Sequence, residues 1–147
     1  MTHIALTALL VADYDPAIDF YVHKLGFQLV EDTDLGGGKR WVVVRPPGAR
    51  ESGLLLARAD GDQQASRIGD QTGGRVFLFL HTDDFLRDFE AMTRAGVRFI
   101  ETPRQEAYGT VAVFEDLYGN RWDLIEPRAE ARADSSVGIR PRPAMWV

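Results

Sequence analysis

The chain has 147 residues, 45% hydrophobic and 27% charged, a composition that supports one compact domain or two small modules sharing a core. Its formal charge of −5 argues against broad nucleic-acid binding, which wants a basic face, and no apolar run approaches the roughly eighteen residues of a membrane span. Cysteine is absent, which excludes disulfides, thiolate ligands and a Cys nucleophile. With no basic segment leading into an apolar run near the N-terminus, the expectation is a cytoplasmic protein with no nucleic-acid and no membrane partner. Lys24 and Lys39 are the only lysines among many arginines. That bias suits a bidentate grip on carboxylate or phosphate, and equally suits a GC-rich coding sequence.

Residues 3–11 are apolar and extended, a buried strand. Asp15-Pro16 opens a helix, with Asp as N-cap and Pro at the first helical position. Ala17, Ile18, Tyr21, Val22 and Leu25 then recur at helical spacing until Gly26 supplies a left-handed stop. Residues 28–32 form a second strand, Gly36-Gly37-Gly38 a hairpin tip and residues 40–45 a third strand. A phosphate cradle needs a helix start directly after such glycines, and a strand pattern follows instead. Pro46-Pro47-Gly48 breaks the chain before a fourth strand, 53–58.

Residues 59–74 make a polar connector. Beyond it come a strand over 75–81, a helix over 85–95 capped by Asp83 or Asp84 and closed by Gly96, and strands over 98–101, 110–115 and 121–126. A polar, Pro-containing tail ends in Met145-Trp146-Val147, either covering a partner chain or disordered.

The two halves repeat. Asp13 lies 71 residues before Asp84, and Gly26 lies 70 before Gly96, each pair flanking a helical pattern. Internal repetition is decisive for architecture. The reading is an α+β chain of two tandem βαβββ modules, 1–58 and 75–127, joined by the connector 59–74 and followed by the tail 128–147.

Two signatures carry a resemblance. Val11-Ala12-Asp13-Tyr14-Asp15-Pro16-Ala17-Ile18-Asp19-Phe20-Tyr21 leads to Leu25-Gly26-Phe27, and Phe114-Glu115-Asp116-Leu117-Tyr118-Gly119-Asn120-Arg121-Trp122-Asp123-Leu124 contains an Asp-x-x-Gly-Asn turn before the last strand. Together they resemble the vicinal oxygen chelate superfamily of glyoxalase I, bleomycin resistance proteins and extradiol dioxygenases. The resemblance implies two βαβββ modules forming a cleft-bearing half-barrel, and a homodimer in which modules of different chains pair around each site. It also implies, in enzymatic members, a divalent metal held by side chains from the first and last strand of each module, acting as a Lewis acid on vicinal oxygens. The chemistry is not fixed by the fold, because isomerisation, ring cleavage, group transfer and sequestration all occur on it.

Counted back from the helix turn, the first-strand ligand positions of this resemblance fall on Leu6 and Phe77. Leu54-Leu55-Leu56 offers no donor, and only Asp123 stands where the family has a carboxylate. No metal and no other cofactor is therefore expected, with a divalent-metal lyase or dioxygenase as the alternative. His3 lies three residues from Leu6, on the opposite strand face; His23 lies on the first helix. His81 shares parity with Phe77 and Phe79, and serves either as a general base or as a structural His between modules.

What remains is a small-molecule pocket with Leu6, Phe77 and Phe79 as an apolar floor and Arg45, Tyr108, Arg121 and Asp123 as polar points. Two other accounts stay open: the aromatics are core, and Asp123 is paired with an Arg. If catalysis occurs without metal, Asp123 or His81 is its acid or base. The leading expectation is a bleomycin-resistance-like protein that binds a small organic ligand in a dimeric cleft.

Overall fold

A computed structural model describes residues 1–129 and divides into two compact units, the first covering Met1–Gln71. The expected role of the tail around Trp146 lies outside the described residues. Among those residues, no helix is long and apolar enough to cross a membrane.

The first unit runs β1 (Leu6–Val11), α1 (Tyr14–Ile18), β2 (Gln28–Gly36), β3 (Lys39–Arg45), β4 (Gly53–Arg58) and the short α2 (Asp62–Ala65). Its sheet has the order β1-β4-β3-β2, with β1 and β4 parallel and the other pairs antiparallel. Alternation sets its two faces. Leu9, Val11, Val42, Val44, Leu54 and Leu56 are buried, and ladder pairs such as Leu9 with Leu56 and Val42 with Leu56 put them on one side. That side lies under α1, whose Ala17 is buried with the edge-to-face rings of Phe20 and Tyr21. Each fully buried Leu or Val contributes about 1.5–3 kcal/mol.

The first helix departs from its expected form. Asp13, not Asp15, is the N-cap: its Oδ1 accepts from the Tyr14 N–H at 2.8 Å. Pro16 falls inside the first turn, where an N–H has no helical partner anyway. Beyond Ile18 the winding widens to a π-helical stretch, Asp19–Lys24, in which Leu25 N–H bonds Phe20 C=O at 3.1 Å. The wider turn rotates Phe20 onto the buried side beside Tyr21, while Val22 and Leu25 are only half-buried. The first strand also starts later than the apolar run suggests, so His3 precedes it, exposed, and has no strand face.

β1 is an edge strand, and a side chain completes its outer rim. Gln71 Oε1 accepts from Leu10 N–H at 3.0 Å, and its Nε2 donates to Ala8 C=O at 2.6 Å, as a neighbouring strand would.

The second unit runs β5 (Val76–His81), α3 (Phe85–Arg94), β6 (Arg98–Phe99), β7 (Arg104–Glu106), β8 (Gly109–Glu115) and β9 (Arg121–Pro127). The order is β5-β9-β8-β6, with β7 also on β8; β5 and β9 are parallel. Asp84 caps α3, its Oδ1 accepting from Arg87 N–H at 3.1 Å. A relay of aromatic rings, Phe85, Phe89, Phe99, Phe114 and Trp122, at centroid spacings of 4.5–5.8 Å, joins α3 to one face of this sheet.

The strand expected over 98–101 stops at Phe99, and β7 follows, unforeseen in what reads as a loop. The cause is Glu101. Ile100 N–H still bonds Val113 C=O, but Val113 N–H is taken by Glu101 Oε1 at 3.0 Å, so a carboxylate replaces the backbone and the ladder breaks.

The Asp-x-x-Gly-Asn signature is a structural device. Asp116 Oδ1 accepts from the N–H groups of Tyr118 and Asn120 at 3.0 and 2.9 Å, and Asn120 Nδ2 donates to Asp116 Oδ2 at 2.9 Å. Gly119, at φ +95°, supplies the left-handed residue of this turn between β8 and β9. Both polar side chains are buried. Asp116→Ala is expected to lower unfolding stability by about 2–3 kcal/mol, through loss of bonds to a buried carboxylate. Leu117→Ala, at an exposed neighbour, should change it by no more than ~0.5 kcal/mol. Urea unfolding of the two variants checks this; equal effects would remove the turn from the stability account.

Candidate functional site

Where α3 covers one face of the second sheet, alternation assigns the other face to the remaining side chains. Phe114 and Trp122 are ladder partners on the helix side. Asp123 therefore points the opposite way, between its partners Phe79 on β5 and Val113 on β8. Phe79 is 42% exposed and Asp123 only 1%. A carboxylate buried to that extent needs compensation from polar neighbours.

Tyr108 is one such neighbour. It packs on the buried pair Val111 and Ile125, just ahead of β8. Burial pushes its phenol up to about 12, against the pull of the Arg104 guanidinium; Glu106 and Asp123 add to the rise. Arg104 is itself clamped, with Nη2 3.1 Å from Glu101 and Nη1 2.7 Å from Glu106. The result is a cluster of three carboxylates, one guanidinium and one phenol.

The backbone is as constrained as the side chains. Gly109 has φ +153°, and a Cβ there would lie 2.1 Å from the Glu126 carbonyl oxygen. Only hydrogen fits. Tyr108 C=O accepts from Arg128 N–H at 2.9 Å, which fixes the peptide carrying the phenol ring.

The structure thus brings together Phe79, Tyr108 and Asp123. Arg121 opens β9 on the same face as Asp123 but is exposed, beside Val76 and Glu115. Phe77 departs from expectation: a bulge between Val76 and Leu78 makes it the extra residue, and Val76 takes the ladder place next to Arg121. Simple alternation therefore does not pair Phe77 with Phe79. His81 ends β5, exposed, opposite Ile125.

Leu6 and Arg45 belong to the first unit. Leu6 begins β1 opposite Gly53, and a Cβ at Gly53 would meet Val43 at 3.2 Å and Leu6 at 3.3 Å, so these two side chains close over the glycine. Arg45 ends β3, with Nη1 donating to Arg50 C=O at 2.9 Å, tying the following loop to the strand. Glu101, Arg104 and Glu106 were not foreseen as part of the cluster. The alternation of Arg104 and Glu106 was their one signal, in a segment too short to read as a strand.

The metal implied by the resemblance can be tested against the donor set. In the first unit the ladder pairs Ala8 with Leu55, where the second pairs Phe79 with Asp123. Leu6, Ala8, Leu55, Phe77 and Phe79 offer no donor atom, which leaves one carboxylate. Among the described residues, no three His, Asp or Glu side chains are placed to hold a metal ion. These residues do not fit such an ion.

The profile of the Glyoxalase/Bleomycin resistance protein/Dioxygenase superfamily matches residues 2–124. An uncharacterized protein of Shewanella frigidimarina (strain NCIMB 400) is 60% identical over 120 residues, 81% of this chain and 89% of that one. Among solved structures, UcmS2 is similar with a TM-score of 0.75 at 29% identity, over 86% of this chain and 98% of its own. TnmS3, an antibiotic binding protein from Streptomyces sp. CB03234, is similar with a TM-score of 0.70 at 31% identity, over 87% and 98%. With two sheets, each built from a strand, a helix and the strands that follow, and both signature turns in place, the chain belongs to the Glyoxalase/Bleomycin resistance protein/Dioxygenase superfamily.

Proposed function

We propose that this chain binds a small organic molecule against the open face of its second sheet, as a homodimer and without a resident metal ion. The observation that carries the reading is the juxtaposition of Asp123, almost wholly buried, with the exposed ring of Phe79. An apolar surface with a charged group at one point is how small-molecule sites fix orientation. Tyr108 adds a neutral hydroxyl, and the carboxylates around Arg104 outnumber it, which favours a ligand carrying a basic nitrogen over an anion. The likeness to an antibiotic binding protein supports the same class of function. A second reading, with Asp123 as acid or base in an enzyme, rests on the same carboxylate beside Tyr108.

Titration of the purified chain with bleomycin, a basic antibiotic that gives the family one of its names, tests the binding reading by calorimetry. Asp123→Asn should weaken the complex at least tenfold, the loss of about 1.5–3 kcal/mol from one charge-assisted hydrogen bond. Unchanged affinity would remove Asp123 from the site. Turnover that is abolished by Asp123→Asn while binding persists would favour the acid–base reading. Light scattering at twice the chain mass is expected for the dimer, and a single chain mass would count against it.

Elemental analysis of protein prepared without chelators should find far less than one transition ion per chain. A stoichiometric ion that survives dialysis would overturn the metal-free part of the proposal.

The phenol of Tyr108 offers an alkaline test. Its folded pKa lies above the ordinary value of 10.0, so its contribution to stability is fully present below pH 10 and is lost as pH rises towards about 12. Phenolate absorbance should show a late-titrating tyrosine that vanishes in Tyr108→Phe, with a smaller loss of stability in that window. A variant whose alkaline profile matches the parent would place the ring outside the buried cluster.

A further inference from the structure

A pocket lies within the first unit, where β3 and β4 come apart. Their ladder runs from Val44–Leu54 to Val42–Leu56 and stops, although both strands continue. Two more steps would place Arg40 opposite Arg58. Instead Arg40 N–H donates to Tyr14 Oη at 3.1 Å, so a phenol stands where a strand should. The guanidinium groups of Arg40 and Arg58 each lie 5.2 Å from the Tyr14 ring centroid, which holds the wedge in place. The opening has a volume of about 460 Å³ and is lined by Tyr14, Lys39, Trp41, Ala57, Arg58 and Gln64, among others. That is the size of small-molecule sites in general.

Its charges are not equivalent. Arg40 is already neutralised, with Nη1 2.8 Å from Asp15 and Nη2 2.6 Å from Asp32. Lys39 and Arg58 have no place in the ion pairs formed among the described residues. Asp60 is the one carboxylate on the lining, and Asp15 and Asp32 are both turned onto Arg40, so Lys39 and Arg58 are the cations the lining offers to an anion. Trp41 offers an indole that is 37% exposed, and Gln64 Oε1 is occupied by Asp60 N–H at 2.9 Å, which leaves its amide N–H groups as donors.

We propose that this opening between β3 and β4 is a binding site for a planar aromatic monocarboxylate, its carboxylate held by Arg58 and Lys39 and its ring lying against Trp41. A monoanion puts one negative charge between the two cations Lys39 and Arg58, whereas a phosphate dianion would bring a second one towards Asp60 and the aspartates that hold Arg40. A guanidinium takes a carboxylate through two parallel N–H bonds, and the indole supplies the stacking surface. This site is formed by residues of the first unit alone and does not depend on the function proposed for the Asp123 face.

Calorimetric or NMR titration of the full chain with 2-naphthoate, its neutral amide 2-naphthamide, and inorganic phosphate tests the proposal. Naphthoate should bind with a Kd below about 1 mM, a modest affinity for a ligand of one charge and two rings. The amide should bind at least tenfold more weakly. Arg58→Gln and Lys39→Gln should each weaken naphthoate at least fivefold, while Arg94→Gln and Asp123→Asn leave it unchanged. If Arg58→Gln fails to fold, Lys39→Gln and the amide comparison still decide. No binding of naphthoate, equal binding of acid and amide, displacement by equimolar phosphate, or a response confined to Asp123→Asn would each overturn the assignment.

Discussion

In each unit the first and last strands lie parallel and side by side, and the helix between them can cross only one face of the sheet they share. That constraint settles which side chains are buried under a helix and which are left for chemistry. In the first unit Leu9 and Leu56 go under α1, leaving Ala8 and Leu55 on the other face. In the second, Trp122 and Phe114 go under α3, leaving Phe79, Val113 and Asp123. The same geometry acts on two different sets of side chains. One unit shows carbon at the paired positions; the other shows a ring beside a carboxylate.

This division of labour separates stability from specificity. The aromatic relay behind the second sheet and the Asp116–Asn120 turn anchor the strands without touching the open face. The polar cluster is built from elsewhere, chiefly from the segment between β6 and β8. There Glu101 displaces a backbone bond, Arg104 bridges two carboxylates and Tyr108 lies over Ile125. Polar groups drawn partly out of water are costly unless paired, and the interlocked bonds of Glu101, Arg104 and Glu106 supply that pairing for three of them.

The modular plan was legible because it is written in local signals. Gly26 and Gly96 stop two helices, Asp84 caps one of them, and the strands of Gly53–Arg58 and Lys39–Arg45 stand close to where their apolar patterns put them. Legibility failed where one side chain acts on a distant backbone. Glu101 on Val113, Gln71 on β1 and Tyr14 on Arg40 are contacts across 12, 63 and 26 residues, and no periodicity announces them. The bulge at Phe77 is another such case, since it changes which neighbour a residue meets without altering the apolar pattern. For the site, Asp123 was conspicuous as a charge in an apolar strand. Its neighbours Arg104 and Glu106 were ordinary surface letters until the fold drew them in.

The approach of Glu126 to Gly109 has an evolutionary side. Two main chains meet there at a separation that no methyl group tolerates, next to the residue that presents a phenol to the cluster. Mutation can therefore change what Tyr108 offers by replacing its side chain, but cannot readily shift its perch. New ligand preferences on this surface have to come through side-chain identity at neighbouring sites, with the main-chain path inherited unchanged.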